Sequence, residues 1–384
     1  MIVCGKGAFQ RLAFQAGGFL FLCIAHICPA DVDIITVRTE GRAAGVGLSA
    51  RNAAIDEARR EAVMSVLYSL APGINHAPLE PILRRAAGYV RNFELLRHDQ
   101  LNGATRVEID AYVLEKPLRQ DLAATMLPRL AAIPRVLIVI NERIETGNES
   151  EAIAGGDIVA SVLQESLARQ RIDVCGITHP GLPVTPKQLA VLPAATLEEC
   201  SRMAQAIAMD VLIVGDAVCA PESPPTGSDV VRNRAVITLR VFRGIDGKMT
   251  DDLSAVASVY SLDPREGGEQ ALQDAAAKLA ADTVIAVVLA TLGAQQDDAI
   301  LLTLINPGSQ ERFDALLEAL RAIPETKEAT ALFYSENIGR IRLRHDGPMS
   351  ELVRAVTARS YAGAQIQVRK AVMREIHLEF PPAP

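Results

Sequence analysis

Arg340, Arg342 and Arg344 alternate with Ile341, Leu343 and His345 in the last quarter of the chain. Side chains two apart on a β-strand share a face, so three guanidinium groups line one side of a sheet while Ile341 and Leu343 meet its helices. Arg369 lies on another strand, whose Ile366 and Val368 point inward, and can join the same exposed face. Such a row would dock an acidic partner or an envelope polymer. The plainer alternative is a solvated face, which antiparallel sheets routinely expose. An RNA-binding sheet would carry aromatics on its outer face, whereas the adjacent Phe333 and Tyr334 point to opposite sides.

Other chemistry-bearing residues form no recognisable set. Gly155-Gly156-Asp157 precedes a helix after a buried strand, where a dinucleotide loop would lie, but GxGxxG is missing and capping of the helix by Asp157 suffices. Gly244-Ile245-Asp246-Gly247-Lys248 lacks the Walker spacing and sits in a hairpin, so it is a turn. His76, His98, His179, His345 and His377 are isolated, with no HExxH pair, and no GxSxG occurs. Asp297-Asp298 fits a solvated linker better than a catalytic carboxylate pair. No catalytic residue, cofactor site or metal site is therefore expected, and the chain is not expected to be an enzyme. A ligand-binding middle domain would need a concave site between residues 141–156 and 215–234.

The chain has 384 residues, enough for two or three domains with cores of their own. Hydrophobic residues make up 49% and charged residues 22%, which fits globular domains and excludes bulk disorder. Aromatics are 4%, without Trp, which argues against ring-built surfaces for sugars or bases. The net charge of -7 has the wrong sign for a general grip on phosphate backbones, so no nucleic-acid partner is expected.

Residues 1–30 follow the pattern of a secretory signal. Lys6 and Arg11 precede an apolar run from Leu12 to Cys28, with Pro29-Ala30 behind it and cleavage expected after Ala30. An uncleaved anchor is the alternative, and the bulk of the chain lies outside the cytoplasm either way. Leu22 before Cys23 and Ile27 before Cys28 do not suit a lipid-attachment box. Cys175, Cys200 and Cys219 remain beyond the signal, an odd number without metal or redox spacing, read as buried free thiols with one bridge as the alternative.

Three segments follow, giving a multidomain chain of α/β and α+β class. Residues 32–131 read as a small α/β sandwich: a strand to Gly41, a helix from Ser49 with Ala54, Ala58, Ala62 and Val66 spaced by four, and a hairpin turning at Asn102-Gly103. Residues 134–292 read as a mixed-sheet α/β domain, with Val136 to Ile140 and Val211 to Val214 as strands buried on both faces and Glu269 to Leu292 as a long amphipathic helix. Residues 300–380 give the βαββαβ order of a ferredoxin-like sandwich, with Glu375 to Phe380 as a last strand that extends it.

The blocks Thr36 to Ala43, Ala50 to Val63, Gly88-Tyr89-Val90 and Val107 to Val113 together resemble the N-terminal domain of the flagellar assembly protein T family. Pro134 to Arg143 resembles the opening of that family's middle domain, which is similar to the N-terminal domain of TolB. The resemblance covers roughly residues 32–292. It implies a periplasmic, outer-membrane-associated structural part of the flagellar basal body, without enzymatic activity, whose partners are other basal-body or outer-membrane envelope proteins and copies of itself in a ring. It also implies a small β-rich third domain, whereas residues 300–380 read otherwise. A general envelope adaptor, TolB-like or curli-secretion-like, is the alternative.

Overall fold

Alternation of β-branched and polar residues carries β1 (Ile34–Ala44) through to Gly45, and the chain then reverses into α1 (Leu48–Leu70). The short helical stretches α2 (Glu80–Leu83) and α3 (Ala86–Tyr89) lead to β2 (Val90–Leu101), β3 (Ala104–Leu114) and α4 (Glu115–Met126). The sheet order is β1-β3-β2, antiparallel throughout, and the β2–β3 turn places Asn102 and Gly103 at positive φ, as an Asn-Gly hairpin requires. Val107, Ile109, Ala111 and Val113 face inward and pack with Ala54, Ala58, Ala62 and Val66 of α1. The structure is a computed structural model and describes residues 34–381, except 72–73, 75, 131, 147–148, 153–156, 179–181, 183, 208, 223–229, 296–298, 336–337 and 373–374. The expected signal segment lies outside the described residues.

The middle segment builds one six-stranded mixed sheet. Its strands are β4 (Arg135–Thr146), β5 (Glu149–Ala152), β6 (Asp173–Cys175), β7 (Val211–Glu222), β8 (Val231–Arg243) and β9 (Met249–Ser261). The path is β5-β4-β7-β8-β9, with β4 parallel to β7 and β6 also paired to β4. One face packs on α5 (Ile158–Arg169) and α8 (Pro264–Gln295) through Val136, Ile138, Ile213 and Ile237. The other packs on α6 (Pro186–Ala190) and α7 (Leu197–Ala206) through Leu137, Val139, Leu212 and Val214. Burial on both faces explains the uninterrupted apolar runs of β4 and β7.

Helix α8 joins the first two segments. Up to Leu279 it is amphipathic, with Ala271, Leu272, Ala275 and Ala276 turned to the middle sheet. From Ala286 to Leu292 it is buried all round: Ala286, Val287 and Ala290 stay with the middle core, while Val288, Leu289 and Leu292 enter the core of the first domain. Thr283 and Thr291 satisfy their buried hydroxyls by donating to the carbonyls of Leu279 and Val287. Pro264–Gly293 has the length to cross a membrane and holds an 18-residue stretch of mean hydropathy 1.8, yet most of that stretch is buried inside the protein. Two cores account for that apolarity. The N-terminal domain is thus completed by residues about 160 positions downstream, which the expected boundaries of 32–131 and 134–292 do not capture.

The third segment comprises β10 (Ala299–Ile305), α9 (Gln310–Arg321), β11 (Thr326–Tyr334), β12 (Ile338–His345), α10 (Met349–Thr357), the two-residue ribbon β13 (Ser360–Tyr361) and β14 (Ala364–Gln365), then β15 (Gln367–Val372) and β16 (Glu375–Glu379). The expected element order is present, and β12 lies between β10 and β11 as in a split βαβ. The last strand corrects the ferredoxin-like expectation. β16 does not extend the sheet at its edge but pairs parallel with β10, and β15 is displaced outward as its antiparallel partner, giving β11-β12-β10-β16-β15. The reason is hydrophobic: Ile376, Leu378 and Phe380 are each about 1% exposed, whereas Gln367, Arg369, Lys370 and Ala371 of β15 are exposed. The whole molecule is a multidomain, mixed α/β protein.

Candidate docking surfaces

The arginine row of β12 is where the sequence places its strongest docking candidate, and the structure closes part of it. Arg340 is 2% exposed, and its guanidinium donates to the carbonyl of Gln205 at 2.7 Å and to that of Ile207. These carbonyls end α7, whose last C=O groups have no partner within the helix. Arg340 therefore serves as a cationic C-terminal cap supplied by another domain, where the helix dipole favours positive charge. Gln205 extends the junction by donating its side-chain amide to the Asp246 carbonyl at 2.7 Å.

Asp246 sits in the β8–β9 turn, where Gly247 has φ +66. Burial works against ionisation of Asp246, but bonds from Arg243 and the Lys248 amide, with the charges of Arg243 and Arg342, hold its carboxyl below the usual aspartate range. Arg342 is half-buried beside this turn. Arg344 is exposed and paired with Glu328 at 3.6 Å. Arg369 is exposed on the far side of the sheet, separated from β12 by β10 and β16, and is paired with Glu379. The expectation of one open face carrying Arg340, Arg342, Arg344 and Arg369 is thus corrected. Period-two alternation sorts Arg340, Arg342 and Arg344 onto one side of the sheet, but α7 and the β8–β9 turn cover its Arg340 end.

The first and middle domains are joined by charge as well as by α8. Arg119 of α4 pairs with Asp251 of β9, and Lys116 with Asp282 at 2.9 Å. Within the middle domain, Glu142 is 8% exposed and accepts from the Val159 and Ala160 amides at 3.0 and 3.1 Å, so it caps α5 from β4. Asp157, the expected cap, makes no side-chain bond there. Burial raises the Glu142 pKa, and the α5 amides oppose that shift. Cys175, Cys200 and Cys219 are free and buried, and burial pushes the Cys219 thiol up to about 11. They are poor nucleophiles.

The upper half of the middle sheet, beyond α6 and α7, exposes a charge-laced face. Asn141 and Arg143 both bond Asp216, and Arg232 pairs with Glu222 at 3.0 Å. Part of the anticipated concave region, residues 153–156 and 223–229, lies outside the described residues, as does Gly155-Gly156.

The outer face of the first sheet is a lattice of opposite charges: Arg38 with Asp110, Glu40 with Arg42 and Arg106, Arg97 with Asp99. Exposed pairs of this kind contribute only about 0–1 kcal/mol each, so they describe a solvated surface. At the free edge of β1 this surface meets a shallow open recess of about 490 Å³, lined by Thr39, Glu40 and Arg42 from β1 and by Glu57, Glu61 and Ser65 from α1. In the sequence, Glu57 and Glu61 stand only on the polar side of α1, opposite its Ala54, Ala58, Ala62 and Val66 stripe. The register that places this face along an unpaired strand is a tertiary property.

No protein-family model and no curated protein matches the chain. Among solved structures, it is similar to a Xanthomonas campestris protein of the family DUF330 (13% identity, 44% of this chain and 89% of that one, TM-score 0.26). It is similar to a lipoprotein of Neisseria meningitidis (13% identity, 39% and 99%, TM-score 0.25) and to PelC of Paraburkholderia phytofirmans, solved as a dodecamer (15% identity, 40% and 90%, TM-score 0.23). Likeness at this level assigns neither a family nor a function.

Proposed function

We propose that this chain is a non-enzymatic structural component of a bacterial cell envelope, acting in the periplasm as part of the flagellar basal body. The observation that carries it is the joining of three domains through a shared helix and buried contacts. One helix serves two cores, Arg340 ties the third domain to the second, and sheet edges and charged faces remain outside. Such a body holds other proteins in fixed relation, which suits a ring component better than a hinged catalyst. The signal-like N-terminus and the resemblance of residues 32–292 support the compartment and the assembly. A general envelope adaptor is the second reading, favoured by the third domain, whose five-stranded mixed sheet with two helices is not the small β-rich module that the flagellar resemblance implies.

Deletion with complementation, scored by swimming and by electron microscopy of isolated basal bodies, tests the proposal. Loss of a basal-body ring, restored by the whole chain, is the expected result. Normal flagella in the deletion strain would overturn the flagellar assignment and leave the adaptor.

A further inference from the structure

Among the described residues, β1 is hydrogen-bonded on one side only, to β3. The Gly45 amide donates to the Gly103 carbonyl at 2.7 Å, and in an antiparallel ladder such bonded positions recur at every second residue. Ala43, Gly41, Thr39 and Val37 therefore turn their backbone groups to β3, and Thr36, Arg38, Glu40 and Arg42 turn theirs to the open edge. An open edge of this length is a template for another strand. Its neighbour is α1, which runs antiparallel to β1 in close contact: Thr39 donates its hydroxyl to the Ala58 carbonyl at 2.9 Å. The recess between them is lined by Thr39, Glu40 and Arg42 of β1, with Arg42 paired to Glu40, and by Glu57, Glu61 and Ser65 of α1.

Charge and spacing define the occupant. Neighbouring helix arginines are engaged elsewhere, Arg59 with Asp56 and Arg60 with Glu80, and Glu57 and Glu61 make no ion pair among the described residues. Residues four apart on a helix advance about 6 Å, and side chains two apart on a strand advance about 6.7 Å. A strand laid along β1 would thus set two consecutive same-side residues against Glu57 and Glu61. We propose that the open edge of β1 takes an extended basic segment of a partner protein as a fourth strand, with Lys or Arg at two positions i and i+2 facing Glu57 and Glu61. The chain's own lead-in, Asp31-Val32-Asp33, has the wrong charge for this place. Val46 and Leu48, 62% and 76% exposed where β1 turns into α1, offer apolar anchorage beyond the edge. The groove deepens the structural-component reading by naming how a partner is held.

The probe is a fluorescein-labelled octapeptide, TVKVKVTV, titrated by anisotropy against the purified full chain, with TVEVEVTV as its acidic counterpart. The lysine peptide binds and slows amide exchange in residues 34–44. The double variant Glu57→Lys, Glu61→Lys weakens the lysine peptide at least tenfold and now prefers the acidic one. Thr36→Pro, which removes an outward amide that an edge strand can lose, weakens both without changing the circular dichroism spectrum. Equal binding of the two peptides, protection outside β1, no effect of the charge swap, or no binding at all would each overturn the proposal. Because the titration uses isolated protein, its failure removes the groove and leaves the envelope role to be judged by the deletion phenotype.

Discussion

Gly41 stands where α1 and β1 come closest. A Cβ there would lie 1.9 Å from the Ala54 carbonyl oxygen and 2.5 Å from the Ala58 nitrogen, both backbone atoms that cannot rotate away. Gly41→Ala must push the helix off the sheet, and a loss of about 3 kcal/mol is expected in urea unfolding, at the upper end for an overpacked core. Gly88→Ala meets nothing within 4 Å and serves as the control, expected to change little or to stabilise slightly.

Glu142 makes a second prediction at this scale. Burial raises its pKa in the folded state, so its favourable contribution is present at low pH and is lost as pH rises through the raised value. Glu142→Gln keeps an oxygen for the α5 amides and cannot ionise. Its melting temperature should match the wild type near pH 4 and exceed it at pH 7.5. Glu142→Ala removes the cap and should cost about 1 kcal/mol at both. The sequence shows Glu142 only as a single acid inside an apolar strand, and the helix it caps begins sixteen residues later, beyond the reach of a local capping rule.

At the scale of elements, the junction of α7 with β12 is the part most at odds with the sequence. The alternation of Arg340, Arg342 and Arg344 does reveal which residues share a face, because that is fixed by the geometry of a strand. What covers the face depends on carbonyls some 135 residues away, and periodicity carries no such information. Arg340→Ala leaves the Gln205 and Ile207 carbonyls without their cationic partner, and hydrogen bonds to a charged group contribute roughly 1.5–3 kcal/mol. Faster amide exchange at the end of α7 and in residues 243–248 is the expected signature. Arg340→Lys should restore it poorly, since one ammonium does not reproduce the fork of a guanidinium. Unchanged exchange in both segments would show that the two domains are held by other contacts.

For the whole molecule, the shared helix α8 makes the first two domains one cooperative unit. Leu289 is 7% exposed in the core of the first domain, though it lies in the last helix of the second segment. Leu289→Ala should destabilise by about 3 kcal/mol, as large-to-small changes in cores do, and should speed exchange in α1 and α4. A fragment of residues 34–131 should lack a stable fold, and adding the rest of the chain through residue 295 should restore one; a sharp melting transition in the short fragment would contradict this. Strands, helices and the three-part order were legible because burial patterns repeat locally along the chain. The all-round apolar stretch from Ala286 to Leu292 was the visible trace of the second core, but a long amphipathic helix accounts for most of the same residues.

That placement of α8 also sets a clock on folding. The first domain's own helices end at Met126, and Val288, which completes its core, is synthesised 162 residues later (288 − 126). At about 5–20 residues per second, the leading domain waits roughly 8–30 s for its last contacts. If the chain acts in the periplasm, as proposed above, export in an unfolded state would gain from that delay. The chain's front end stays threadable until nearly three-quarters of it has been made.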